Sequence, residues 1–235
     1  MGFSSNKQED LDMAINLNKI TLEKQGDSHR ISLTKGGTKE IVINLNWSAA
    51  KTPEKKGFLA GLFGGGSTEA AVDLDLGCCW QSRAGEVSVI DGVQFSHGKG
   101  GPRNQVTCQG CYTAAPWVWH TGDDRTGSSS DGENMLVNPR GISELKRLII
   151  YCFIYEGAAK WADTNAIVTV KVPDNPDIVV EMGQQGDQRK FCAIAEIQCG
   201  ANDSLTVKKL VTFHNGHAEC DCVYNWGLQW GPGSK

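Results

Sequence analysis

The residues in this chain whose types and spacing could do chemistry are its carboxylates. The stretch His120-Thr121-Gly122-Asp123-Asp124-Arg125-Thr126-Gly127-Ser128-Ser129-Ser130-Asp131-Gly132-Glu133-Asn134 sets four acids among glycines and small polar residues. Upstream, Val72-Asp73-Leu74-Asp75-Leu76 carries two aspartates two residues apart. On an extended strand that spacing projects both carboxylates from one face and leaves Val72, Leu74 and Leu76 on the other. Two anions side by side repel, and burial without a counter-charge raises the pKa of one of them. A cation relieves both problems. Asp73, Asp75, Asp123, Asp124, Asp131 and Glu133 together offer many hard oxygens, and Gly122, Gly127 and Gly132 free backbone carbonyls to add more. That supply suits calcium, which takes roughly six to eight oxygen ligands in irregular geometry, better than magnesium, which demands a near-ideal octahedron. The loop lacks the ligand spacing of an EF-hand. A solvated acidic loop is the alternative use of the same residues.

Two further chemistries compete for the same chain. Paired carboxylates flanked by Trp117, Trp119 and Trp161 could serve glycosidic acid–base work, but nothing in the pattern separates an acid from a base. No GxSxG, HExxH, P-loop or GxGxxG motif stands in a strand–turn–helix setting, so the sequence predicts no enzyme. The second is thiol and soft-metal chemistry. Nine cysteines are an odd number, and with no secretory leader they read as reduced thiols. The run His214-x-x-His217-x-x-Cys220-x-Cys222 holds four soft ligands and resembles a zinc site in isolation. Its residues also fit a hairpin turning at Asn215-Gly216, with Cys220 and Cys222 on one face of a strand. That hairpin is the expectation here. Cys108-x-x-Cys111 lacks the βαβ context of a redox motif.

The elements that must position these groups are strands. Apolar residues alternate with polar ones at Ile41, Ile43, Leu45 and Trp47, again over 72–76, at Ile167, Val170 and Val172, and at Leu205 and Val207. Leu148 to Tyr155 is continuously apolar, as a strand covered on both faces would be. Clusters of Gly, Pro and Asp separate these runs, and short helical turns are expected near 142–147 and 157–163. The fold class predicted is all-β, a β-sandwich of two mainly antiparallel sheets with short helical turns and a long Gly-rich insertion. Residues 1–28 read as a leader, frayed over 1–12, and a first strand. The sandwich domain follows over 29–231, interrupted by the insertion at 49–69, and 232–235 form a tail. Phe58, Leu59, Leu62 and Phe63 in the insertion suit either a partner surface or the protein's own sheet. At 235 residues with 40% hydrophobic and 21% charged content the chain is long enough for a sizeable core. Its net charge of −4 disfavours nucleic acid as a partner. Glu9, Asp10 and Asp12 stand where a secretory signal is basic or apolar, and no stretch is long enough to span a membrane.

In order along the chain, Ile31-Ser32-Leu33-Thr34-Lys35-Gly36-Gly37, Asp73-Leu74-Asp75 and His120 to Gly127 resemble the TerD family of tellurium-resistance and stress-response proteins. Asp73 to Cys78, Gly132-Glu133-Asn134, Phe153 to Gly157 and Tyr224-Asn225-Trp226-Gly227-Leu228-Gln229-Trp230 look most like its TerA branch. The resemblance implies a β-sandwich that binds one or two calcium ions. It also implies a non-enzymatic, cytoplasmic stress component working with other Ter proteins and with the membrane protein TerC. By position, Asp73 and Asp75 match the family's DxD, and Asp123 matches the aspartate of its GDxxTG motif. Ser128-Ser129-Ser130-Asp131-Gly132-Glu133 departs from the family's alternating Gly and Asp, and Asn46-Trp47-Ser48 replaces a Gly-Trp-Asp. Glu156, near a family aspartate, would compensate. The rival is thiol-dependent reduction or sequestration of tellurite or another soft metal through the cysteine and histidine cluster.

Overall fold

The computed structural model of the chain describes residues 19–33, 39–47, 72–92, 101–123, 132–156, 160–182, 186–200 and 203–231. The leader expected over 1–12 and the insertion expected at 49–69 lie outside them. Two sheets form a sandwich, as the period-two patterning implies. One has seven strands, β1 (Lys19–Thr21), β11 (Asp177–Glu181), β10 (Ile167–Lys171), β3 (Ile41–Asn46), β8 (Glu133–Val137), β7 (Val118–His120) and β6 (Gly110–Cys111), in that order. The other has six, ordered β2 (Ser28–Ser32), β13 (Ser204–His214), β12 (Phe191–Gly200), β9 (Leu145–Glu156), β4 (Asp73–Ser82) and β5 (Val87–Asp91). All pairs are antiparallel except β1 with β11.

β9 explains its own unbroken apolar run. Leu148, Ile150, Cys152 and Ile154 enter the core between the sheets, while Ile149, Tyr151 and Phe153 enter a second cluster on the outer face of the six-stranded sheet. Strand alternation sends successive side chains to opposite faces, so a strand covered on both sides must be apolar at every position. The outer cluster is roofed by α2 (His217–Tyr224) and the segment that follows it, through Cys220, Tyr224, Trp226 and Leu228.

The expected helical turns are present, each displaced by a few residues. Pro139–Gly141 forms a single 3-10 turn capped by the Asn138 side chain, which accepts from the Arg140 N–H. The span near 142–147 becomes the start of β9 at Leu145, because Leu145 and Leu148 are more valuable facing the core. The second turn is α1 (Trp161–Thr164), ended by Asn165 in the left-handed region at φ 47°. Between Ala193 and Ala195 the β12–β13 register slips, and Val211 opposite it adopts φ 47°. An extra residue on one strand produces such a bulge.

Candidate metal centre

On β4 the alternation of acid and leucine does what the sequence implies: Leu74 and Leu76 join the core between the sheets. Asp73 and Asp75 are nonetheless almost fully buried, at 4% and 0% exposure. Asp123, half-buried, follows the end of β7 on the opposite sheet. Asp73, Asp75 and Asp123 bring one carboxylate oxygen each to within 4.8 Å of one another. Among the described residues this is the one set of three or more His, Cys, Asp or Glu side chains gathered so tightly. Three converging carboxylates, two of them withdrawn from water, form a hard-oxygen donor set that fits a calcium ion.

Glu133, the remaining described acid of the loop, is buried at 1% exposure. Its Oε2 accepts the Leu76 N–H at 2.7 Å and lies 3.6 Å from His120 Nε2. It therefore ties β8 to β4 directly beneath the aspartates. Gly132, just before it, has φ 57°, and a Cβ there would meet the Leu45 carbonyl oxygen at 2.1 Å. Only glycine satisfies both conditions. Asp124 and Asp131 lie outside the described residues. The backbone of Glu156 pairs in register with Asp73, which puts that position on the strand beside the cluster, while its side chain is outside the description.

His120 is the functional residue that the sequence reading passed over. It is fully buried, and its Nδ1 accepts the Gly122 N–H at 3.1 Å. An accepting Nδ1 carries no proton, so Nε2 bears it and donates to the Leu76 carbonyl at 3.1 Å. The ring is a neutral strut that fixes the turn leading into Asp123 against the strand bearing Asp75. Its place immediately before Thr121-Gly122-Asp123 was the signal in the sequence.

The histidine–cysteine run is reorganised by the fold. Residues 217–224 are helical rather than the second strand of a hairpin, and Gly216 is the N-cap. His217, Cys220, Asp221 and Tyr224 recur at helical spacing, and that stripe faces the sheet, with Cys220 and Asp221 buried. Cys222 is exposed on the other side. His217 Nε2 lies 3.0 Å from Asp91 Oδ2, and His214 Nε2 is 2.9 Å from the Thr212 hydroxyl. Burial pushes the Cys199 and Cys220 thiols up to about 12 and raises those of Cys78, Cys79, Cys152 and Cys192 as well. A thiol is nucleophilic only as thiolate. Trp161, one of the three tryptophans considered as a sugar platform, is 1% exposed in the core.

The thiol picture predicts a labelling result. Ellman's reagent on native protein should react fast with two thiols, exposed Cys108 and Cys222, and with the seven buried ones only after unfolding. A third fast thiol at pH 8 would contradict the burial described here.

No family model matches the chain. It is 34% identical over 222 residues to a tellurium resistance protein TerA from Alcaligenes sp., an alignment that takes in 94% of this chain and 60% of that relative. The chain thus spans about three fifths of the relative's length. Among solved structures it overlays SAV2460, described as a protein of unknown function, at a TM-score of 0.51 and 13% identity, covering 82% of this chain and 99% of that one. That likeness shows the fold. A homologue of the telluride resistance protein TerD from Streptomyces coelicolor A3(2) overlays at 0.47 and 16% identity, covering 82% and 100%. The resemblance carried by the aspartate motifs and the 34% identity point the same way: along nearly its whole length the chain is similar to the tellurium resistance protein TerA.

Proposed function

We propose that the protein is a non-enzymatic calcium-binding component of a tellurite-resistance and stress-response system. The observation that carries this reading is the convergence of Asp73, Asp75 and Asp123 within 4.8 Å. Two of the three sit on a sheet and one on the loop that follows β7. An ion held there neutralises the loop and orders it against β4, and the ordered surface recruits a partner. A ligand shifts a conformational equilibrium by its differential affinity for the two states, and cation binding supplies that difference. The partners proposed are other Ter proteins, with TerC as the membrane-embedded member, and the working compartment proposed is the cytoplasm. Among the described residues no helix is long and apolar enough to cross a membrane.

The rival reading, thiol reduction or sequestration of tellurite, has less support. Cys220 is buried on the sheet-facing side of α2, and His217 is engaged by Asp91. Cys108 and Cys222 remain as its exposed thiols.

Isothermal calorimetry of metal-stripped protein decides the matter. Calcium should give saturable heat that disappears in the Asp73→Asn, Asp123→Asn double variant, with a small magnesium response. Calcium at about 100 times its dissociation constant should also add ~2.7 kcal/mol to the unfolding free energy. Absence of calcium heat in the unsubstituted protein would end this proposal.

A further inference from the structure

At the end of β4 opposite the aspartates lies a cavity of about 260 Å³. Asp75 and Trp80 are five residues apart on that strand, about 17 Å at the usual rise per residue. The walls are Trp80, Pro116, Trp117 and Leu145. Trp80 packs on the core between the sheets and Trp117 packs on it from the segment entering β7, so the cavity sits where the sandwich opens. Glu86, Glu144 and Arg83 are the charged residues of the lining.

Three features set the ligand class. First, the volume lies below the usual range for pockets that take drug-sized molecules, so the occupant is small. Second, the walls are aromatic and the two carboxylates outnumber the guanidinium. Arg83 is already committed, with Nε donating to the Ser143 carbonyl at 3.0 Å and a terminal nitrogen to the Cys199 carbonyl at 2.6 Å. Third, Trp117 is held under restraint. Its φ is 61°, a conformation that bulky residues rarely adopt and that collects at functional sites. Its indole lies on Gly141, where a Cβ would come within 2.0 Å of the ring, and its Nε1–H donates to Glu144 Oε2 at 3.0 Å. The ring is therefore fixed before any ligand arrives, and its tether is an anion.

We propose that this cavity binds a small organic cation of the quaternary or methylated ammonium class between Trp80 and Trp117, with Glu144 and Glu86 supplying the negative charge. Aromatic faces attract such cations through the ring quadrupole, and tryptophan does so best. Preorganisation of Trp117 removes part of the ordering cost of binding. The site is separate from the aspartate cluster and needs no calcium.

The test uses a matched pair of probes, choline and its neutral isostere 3,3-dimethylbutan-1-ol, titrated into nitrogen-15 labelled full-length protein in calcium-free buffer. The seven tryptophans give seven indole N–H signals, and Trp80→Phe and Trp117→Phe assign the two that matter. Choline should shift those two saturably, and the neutral isostere should bind at least about tenfold more weakly. Glu144→Gln, at an exposed position, should weaken choline by roughly three- to tenfold, and it keeps the test decisive if Trp117→Phe fails to fold. No saturable shift up to about 50 mM, beyond the millimolar dissociation constants of weak specific sites, would overturn the proposal. Equal binding of the two probes would also overturn it, because the cavity would then select for apolar surface rather than charge. Calcium-free conditions keep this outcome independent of the aspartate site.

Discussion

Gly77→Ala should destabilise the protein by about 3 kcal/mol or more, measured by urea unfolding in the presence of a chelator. Gly77 lies in the middle of β4, paired with Asp91 on β5 and with Tyr151 on β9. The Tyr151 ring crosses directly over it: a Cβ built on Gly77 would fall 2.2 Å from Tyr151 Cε2 and 2.7 Å from its hydroxyl oxygen. That hydroxyl donates to Asp91 Oδ2 at 2.6 Å, with both groups at 1% exposure or less. Burial and the Asp91 charge push the Tyr151 phenol far up, so it stays protonated and keeps donating. An added methyl group must displace the ring, which strains a packed cluster and takes the donor from a buried carboxylate. Overpacking costs about 1 to 3 kcal/mol, and a hydrogen bond to a charged group contributes about 1.5 to 3. Tyr151→Phe isolates the second contribution and should cost less than Gly77→Ala. A change below about 1 kcal/mol for Gly77→Ala would show that the ring has another place to go.

Asp221→Ala should release the C-terminal segment at a cost of about 2 to 4 kcal/mol. Asp221 is 5% exposed on the inner face of α2. It accepts the backbone N–H groups of Gly227 and Leu228, each at 2.8 Å, and the Trp230 indole N–H at 2.9 Å. One carboxylate thus closes the helix end and folds the following residues back. Trp226 then covers the Arg147 guanidinium at 4.4 Å, and the Trp230 ring centroid sits 4.9 Å from that of His217. Without the carboxylate three donors lose their acceptor, and the segment is left to the packing of Trp226 and Leu228 on the outer cluster and to the two ring contacts. Limited proteolysis should then cut around residues 226–231 under conditions that leave the unsubstituted protein intact, with red-shifted tryptophan emission. Asp221→Asn should be intermediate, since an amide offers one accepting oxygen to three donors. Unchanged protease resistance in Asp221→Ala would mean that the aromatic contacts alone hold the segment.

Sandwich architecture was legible because each strand's two faces meet different surroundings. The period of two in 41–47 and 167–172 and the double burial of 148–155 are direct imprints of that. The grouping of Asp73 and Asp75 was legible for a related reason, since a period of two puts both on one face of β4, and Asp123 was picked out by its place in the acidic loop. His120 was not, since a buried histidine differs from an exposed one only through partners distant in sequence, here Leu76 and Glu133. The helix at 217–224 was hidden by Asn215-Gly216, a strong hairpin signal in isolation. Its helical stripe, His217, Cys220, Asp221 and Tyr224, was visible but mixes polar with apolar residues, so hydrophobic periodicity alone missed it. Trp117 was noticed as an aromatic platform, whereas Trp80, its partner across the cavity, was not, because nothing local to β4 marks the end of a sandwich.

Strand order also governs how the protein must be made. Ser32 on β2 waits for Ser204 on β13, and Lys19 on β1 for Asp177 on β11, so early strands pair with late ones in both sheets. Lys209 reinforces the closure by donating from Nζ to the carbonyls of Leu22, Glu23 and Glu181. At roughly 5 to 20 residues per second on a ribosome, the 172 residues from Leu33 through Ser204 take on the order of ten to thirty seconds to appear. For that interval the apolar faces of the first strands have no mates. Non-local pairing of this kind also slows folding in solution. Expression at lower temperature with abundant chaperones should therefore raise soluble yield more than any single surface substitution, because the vulnerable species is the unfinished chain and not the native sandwich.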